Sequence, residues 1–185
     1  GLFAGGYQNP GGTSNRTNVI QYVEISTLGN ALDFGDLTNI GVSISACASP
    51  TRALFAGGYL SPTALISSTI NVITTASKGD GIKFGDLIVG RARGAGCSNS
   101  VRGVFGGGRD FKTTKLTSSV EYVTLASDGN AIYFGDLTND GTGRNMLGAA
   151  SSQTRGLFNG GYAPNTTNII DYVTIMSTGN AQDFG

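Results

Sequence analysis

The sequence is a tandem repeat, and this feature constrains the fold most, because each unit of about 50 residues must bury its apolar face against its neighbours. One apolar segment that continues into glycine occurs at residues 1–7, 53–59, 103–109 and 156–162. A second marker is the aromatic residue of a Phe-Gly element, at Phe34, Phe84, Phe134 and Phe184. A third marker falls at Tyr22, Val72, Tyr122 and Tyr172. The last two markers share a spacing of 50 residues, which divides the chain into repeats 1–52, 53–102, 103–155 and 156–185.

Each repeat contains segments that predict β-strands. Residues 19–25 are β-branched and aromatic with partial alternation, which is typical of a strand. The stretch 42–49 and its equivalents consist mainly of Ala, Ser, Gly and Cys, which are too small for a wide sheet face and indicate a crowded centre. The pair Gly29-Asn30 and its equivalents tolerate positive φ and predict a tight hairpin before the Phe-bearing strand.

This strand order predicts an all-β fold, a β-propeller of four-stranded antiparallel blades. No segment has helical periodicity, and Gly makes up 30 of the 185 residues, as expected for a chain with many tight turns. The first repeat begins within its second strand and lacks an inner strand. We therefore expect the chain to be part of a larger propeller, in which the residues before Gly1 supply a small-residue strand ending in Arg. The residues after Gly185 are expected to be Asp and Leu.

The repeat resembles the kelch repeat. The resemblance rests on an Arg at each repeat junction, an apolar strand ending in Gly-Gly, a Tyr-bearing strand and a later aromatic residue. It covers the whole chain and implies a kelch-like β-propeller, although Phe stands where kelch has Trp and the gap from Tyr22 to Phe34 is longer. Strings such as Arg-Gly-Leu-Phe-Asn-Gly-Gly-Tyr at residues 155–162 look like repeats in structural and fibre proteins of tailed bacteriophages, which implies a virion or tail-fibre component.

The side chains needed for most catalytic sites are missing from the sequence. The chain has no His, which is the commonest general base and a common metal ligand. Cys47 and Cys97 each precede a repeated Arg by five residues, so we expect two small buried thiols and no disulfide. The Gly-Gly pairs lack the Lys-Ser/Thr of a phosphate-binding loop. The sequence therefore predicts a protein that is not an enzyme and has no cofactor and no metal.

One carboxylate recurs in the Phe-Gly-Asp-Leu element, at Asp36, Asp86 and Asp136. Three such groups could bind calcium if their loops converged, but one acidic residue per repeat is sparse for a calcium site. We favour hydrogen bonds from the backbone of the turn, or ion pairs with a repeated Arg such as Arg52.

Candidate recognition residues follow the Gly-Gly pairs, at Tyr7, Tyr59, Arg109 and Tyr162. The tyrosine rings either stack on sugars or pack beneath the adjacent loops. These loops, at residues 8–18, 60–69, 110–118 and 163–168, differ most between repeats. Any recognition is expected there.

The charge balance argues against polyanionic partners, since 12 Lys and Arg offset 12 Asp and Glu. No apolar run is long enough to span a membrane, and no targeting signal is visible in this segment, so neither nucleic acid binding nor membrane insertion is predicted. We predict a structural or interaction module, virion or extracellular, that presents loops to other structural subunits or to a host surface. The alternative is a lectin-like propeller that binds host-surface glycans.

Overall fold

A computed structural model describes residues 1–7, 16–63, 65–110, 113, 115–138 and 142–185. The described residues form strands, turns and bends and no helix, which confirms the all-β prediction. The strands are β1 (Leu2–Ala4), β2 (Val19–Tyr22), β3 (Leu32–Asp36), β4 (Gly41–Val42), β5 (Ser45–Ala48), β6 (Arg52–Ala56), β7 (Tyr59–Leu60), β8 (Thr69–Thr74), β9 (Ile82–Asp86), β10 (Ala95–Ser98), β11 (Arg102–Gly106), β12 (Ser119–Thr124), β13 (Ile132–Asp136), β14 (Gly148–Ser151), β15 (Arg155–Asn159), β16 (Tyr162–Ala163), β17 (Asn165–Thr166), β18 (Ile170–Thr174) and β19 (Gln182–Asp183).

Each sheet is antiparallel and its neighbouring strands follow chain order, and the first strand of sheets 2, 3 and 4 comes from the end of the preceding repeat. Sheet 2 has the order β5-β6-β8-β9, sheet 3 has β10-β11-β12-β13, and sheet 4 has β14-β15-β18-β19. Sheet 1 contains β1-β2-β3, so its β1 occupies the place that β6 holds in sheet 2. Two short ribbons, β4-β7 and β16-β17, lie outside these sheets. Three four-stranded antiparallel sheets are therefore confirmed.

Successive sheets pack face to face, and the hydrophobic core lies between them. We call the face of a sheet that contacts the preceding sheet its leading surface, and the opposite face its trailing surface. Between sheets 2 and 3, Leu54 and Phe84 of the trailing surface pack against Phe105 and Leu125 of the leading surface. The other two contacts use equivalent residues, with Phe55 in one and Phe158 in the other. Burying one such aromatic ring stabilises the fold by about 1.5–3 kcal/mol.

The first strands of sheets 2, 3 and 4 lie side by side, which confirms that their small residues occupy a crowded place. A Cβ on Gly96 would lie 2.4 Å from the carbonyl oxygen of Ala46 in the neighbouring sheet. The Ser98 hydroxyl donates to the Ala48 carbonyl at 2.6 Å, and the Ser151 hydroxyl donates to the Ser98 carbonyl at 2.7 Å. Small side chains are required because these strands approach to hydrogen-bonding distance.

The prediction of a tight hairpin at each Gly-Asn pair is wrong. In sheet 2 the chain turns at residues 75–77, and the segment that follows lies against β3 of sheet 1. Gly79 N–H donates to the Phe34 carbonyl at 2.8 Å, and the Asp36 N–H donates to the Asp80 carboxylate at 3.0 Å. Gly129-Asn130 and Gly179-Asn180 make the same contacts with the sheets before them. The pair is thus a connector between sheets, and its polar side chain accepts a backbone hydrogen bond from the preceding repeat.

Replacing Gly57 or Gly58 by Ala is expected to destabilise the fold strongly. Gly57 has φ of 74° and its Cβ would lie 2.2 Å from the Arg91 carbonyl oxygen, while Gly58 has φ of 99° and its Cβ would lie 2.7 Å from an Ile44 side-chain carbon. We expect each variant to lose more than about 2 kcal/mol of unfolding free energy, measured by urea denaturation. Thr63→Ala, on the adjacent exposed loop, should change it by less than about 0.5 kcal/mol. Equal denaturation midpoints for Gly57→Ala and Thr63→Ala would contradict this expectation.

Candidate functional site

The four predicted recognition residues occupy equivalent positions after β1, β6, β11 and β15, but their environments differ. Tyr7 is 59% exposed, and the Arg16 guanidinium lies 6.0 Å from its ring centroid. Tyr59 is buried, with the Arg93 guanidinium 5.5 Å from its ring centroid. Tyr162 is 45% exposed. The four positions therefore do not form equivalent aromatic pockets.

The structure brings two of these residues together in one cleft. Arg109 and Tyr162 line a cleft of about 610 Å³ with Lys115, Asn145 and Pro164. It lies between the loops of sheets 3 and 4, and Tyr162 pairs with Asn145 through reciprocal backbone hydrogen bonds of 2.9 and 3.1 Å. An exposed aromatic ring beside two cations suits a flat polar ligand with negative charge.

Parts of the loops named in the sequence analysis, residues 8–15, 64, 111, 112 and 114, lie outside the described residues.

The most buried charges in the described residues lie between sheets and were not singled out in the sequence. The Arg91 guanidinium pairs with the Glu121 carboxylate, and both side chains are essentially inaccessible to solvent. Arg91 also donates to the carbonyl oxygens of Gly107 and Ser119, at 3.0 and 2.8 Å. Burial lowers the pKa of Arg91, and the charge of Glu121 opposes that shift. The pair is a structural ion pair with its own hydrogen-bond network.

The same arrangement recurs one sheet later. Arg144 pairs with Asp171, and both side chains are fully buried. Burial lowers the pKa of Arg144, with Asp171 opposing the shift. Between sheets 1 and 2 the corresponding residues are the uncharged Gly41 and Asn71. Arg therefore occurs only where the partner position is acidic.

In sheets 2, 3 and 4 the residue before the Tyr22-equivalent position, which is Asn71, Glu121 or Asp171, accepts a hydrogen bond from the connection that follows the preceding sheet. Glu121 accepts the Ile88 N–H at 2.8 Å, and Asn71 accepts the Thr38 N–H at 3.1 Å. A comparison of the repeats could have identified this contact, because the residues at the two positions change together. Gly41 occurs with Asn71, whereas Arg91 occurs with Glu121 and Arg144 occurs with Asp171. Sequence analysis missed it because the partners are about 30 residues apart.

Two of the three repeated carboxylates, those of Asp86 and Asp136, form local contacts. Asp86 forms an ion pair with Lys83 at 2.7 Å, and Asp136 accepts the Ser118 hydroxyl at 3.0 Å. The expected pairing with a repeated Arg is wrong for Arg52, which binds Asp128 at 2.7 Å. No group of three or more metal-ligating His, Cys, Asp or Glu side chains occurs among the residues that the structure describes.

The two cysteines are buried and unpaired by disulfide. Burial raises the pKa of both thiols, that of Cys97 to about 12. Their sulfur atoms fill the space beside glycines of the next sheet. A Cβ on Gly103 would lie 2.5 Å from the Cys47 sulfur, and a Cβ on Gly156 would lie 2.6 Å from the Cys97 sulfur. The thiols therefore act as packing groups between sheets.

No family model matches the chain, and comparison with curated proteins finds no relative. Among the described residues, no helix is long and apolar enough to span a membrane.

Removing the negative charge from Glu121 is expected to leave the Arg91 charge buried without a counterion. Glu121→Gln should lower the unfolding free energy by about 3–5 kcal/mol in chemical denaturation. Glu24→Gln is the matched control, because Glu24 is exposed, and it should change the value by less than about 0.5 kcal/mol. Similar losses in the two variants would show that Glu121 does not stabilise Arg91.

The buried thiols are expected to make stability fall at alkaline pH. The unfolded chain releases thiol protons above about pH 8.5, whereas the folded chain retains them because burial raises the pKa. Between pH 8 and pH 10, each thiol should therefore cost about 2 kcal/mol of unfolding free energy. In Cys47→Ala/Cys97→Ala, which copies Ala150 at the equivalent position of sheet 4, this part of the loss should disappear. Identical pH profiles for the two proteins would contradict the assignment.

Proposed function

We propose that the chain is a non-enzymatic structural or interaction module, built as an arc of β-propeller blades in which each repeat sheet is one blade. Support comes from the four-stranded antiparallel sheets, the small-residue first strands that lie side by side, and the face-to-face packing of successive sheets. Such a row leaves a leading surface on its first sheet and a trailing surface on its last.

The packing of successive sheets is the observation that carries the proposal, because an equivalent aromatic residue is buried in each of the three contacts. Phe3, on the leading surface of sheet 1, is 61% exposed, whereas its equivalents in the other repeats are buried. Those equivalents are Phe55, Phe105 and Phe158. Phe184, on the trailing surface of sheet 4, is 55% exposed, whereas Phe34, Phe84 and Phe134 are buried. Phe3 and Phe184 therefore lie on surfaces of the kind that the chain buries in its three contacts between sheets.

These two surfaces are complementary, because a leading and a trailing surface of the same kind pack together in each of the three contacts between sheets. A partner that carries the same repeat chemistry would bury Phe3 as sheet 1 buries Phe55. Further repeats of this kind, in the same polypeptide or in another structural subunit, would bury these two surfaces by the same head-to-tail contact. A place in a virion or tail fibre, or another extracellular assembly, is the part of the proposal that rests on the resemblance of the repeats.

A glycan-binding lectin is the second proposal, favoured by the cleft that contains Tyr162, Arg109 and Lys115. The ring of Tyr162 and the two cations suit an acidic sugar. Because Tyr59 is buried at the equivalent position, this proposal is limited to a single cleft and does not extend to one pocket in each blade.

Head-to-tail association of the chain tests the first proposal. Light scattering coupled to size-exclusion chromatography should give masses that rise with concentration to multiples of 18.9 kDa. Phe3→Lys should abolish this rise, because the charge would be buried in the contact. Leu28→Lys is the control, since Leu28 is fully exposed and the second repeat has Lys78 at this position. A monomer at every soluble concentration would contradict the proposal, and saturable binding of an acidic glycan that Tyr162→Ala removes would favour the second.

A further inference from the structure

We propose that the cleft between the loops of sheets 3 and 4 is one half of a longer site that binds an acidic oligosaccharide, and that Arg93 belongs to the other half. The ligand carries carboxylates on at least two of its sugars. The assignment depends on the second proposal above, glycan binding, and specifies the length and the charge of the glycan.

An insertion in the connection from sheet 3 to sheet 4 forms one wall of this cleft. Residues 134 and 155 are 21 positions apart, whereas the equivalent residues 84 and 102 are 18 apart. Thr142 lies in the longer connection and lines the cleft. Gly143 has φ of 63°, and a Cβ on it would lie 2.5 Å from the backbone carbonyl carbon of Thr117. The insertion is therefore packed against the loop of the third repeat, and the cleft lies between two sheets and not on a terminal surface.

The two cations of the cleft occur only in the third repeat. Arg109 stands where the other three repeats have Tyr, and Lys115 stands where the second repeat has Leu65. The local backbone is the same with either side chain, because Arg109 and Tyr59 each form a β-bridge to the loop that follows. The fold therefore does not require these cations. Among the described residues that line the cleft none is acidic, so the two charges suit an anionic group of a ligand.

Arg93 places a third cation beside Arg109, on the side of sheet 2. The residue before it, Ala92, exchanges two backbone hydrogen bonds with Arg109, of 2.8 and 3.2 Å. Arg93 is partly exposed, and its guanidinium lies 5.5 Å from the ring centroid of Tyr59 in β7. Its φ is 60°, and the equivalent Ser43 has the same φ. The fold thus sets this backbone conformation but does not require a cation at the position.

A linear ligand with several negative charges fits these three cations. Because Arg93 and Arg109 lie in neighbouring loops, they suit two carboxylates on different sugars of one chain. Single-stranded nucleic acid is the other linear polyanion, but its binding uses several aromatic rings on which the bases stack. Tyr162 supplies the one aromatic ring among the described residues that line the cleft. The chain as a whole also has no excess of positive charge.

The test measures binding of galacturonic acid, its dimer and its tetramer to the 185-residue chain by isothermal titration calorimetry. We expect the affinity to rise by at least about tenfold from the monomer to the tetramer, because the tetramer reaches both halves of the site at once. The affinity of the tetramer should fall as salt is added, since its contacts are between partly exposed charges. The neutral tetramer of glucose is the control ligand and should not bind.

Four variants locate the site, and each copies a residue that another repeat has at the same position, so each should fold. Arg109→Tyr and Lys115→Leu should each weaken binding of all three galacturonate ligands by at least about tenfold. Arg93→Ser should weaken binding of the tetramer by about fivefold and leave that of the monomer unchanged. Lys83→Tyr is the matched control, because it removes an exposed cation from an outer strand and copies Tyr133, and it should change no affinity.

Equal affinities for the monomer and the tetramer, or a tetramer affinity that Arg93→Ser leaves unchanged, would overturn the longer site and leave glycan binding by the cleft alone in place. Absence of binding by all three galacturonate ligands would contradict both. A single-stranded oligothymidylate that binds as tightly as the tetramer would assign the site to nucleic acid and would also overturn it. The mass measurement on Phe3→Lys is independent of these results, because Phe3 does not line the cleft.

Discussion

The contact between the trailing surface of one sheet and the leading surface of the next holds the molecule together, because a single sheet has no second layer of its own. Each contact combines a buried aromatic layer, represented by Phe105 between sheets 2 and 3, with backbone hydrogen bonds at the outer strand. The Phe-Gly-Asp element contributes to both, because its Phe packs inward while its backbone bonds to the Gly-Asn pair of the following repeat. This double use explains why both elements recur with one spacing.

The buried polar groups follow from the same contact. A connection that passes from one sheet to the next brings backbone N–H groups into the core, and these need acceptors. Asn71 serves this purpose without charge, whereas Glu121 and Asp171 bring a charge that Arg91 and Arg144 balance. The Nε atoms of Arg91 and Arg144 are buried without a hydrogen-bond partner, so neither ion pair is fully hydrogen-bonded. Loss of the acidic partner would in addition leave a buried charge unpaired.

The repeated and the variable parts of the sequence have different places in this row of sheets. Phe55, Phe105 and Phe158 belong to the aromatic layers that recur from one contact between sheets to the next. The loops that carry Tyr7 and Tyr162 lie outside these aromatic layers and differ most between repeats. The proposed assembly would involve the repeated part of the sequence, whereas the proposed ligand recognition would involve the variable part.

The sequence alone determined the repeat, the all-β class, the position of most strands and the need for small residues near Gly96. Those features are encoded locally, by spacing, alternation and side-chain size. Only the tertiary structure decided that Gly79-Asp80 joins two sheets, that Tyr59 is buried while Tyr7 is exposed, and that Arg91 pairs with Glu121. Each of these depends on residues that belong to different repeats, and local patterns do not specify which groups meet when two sheets pack.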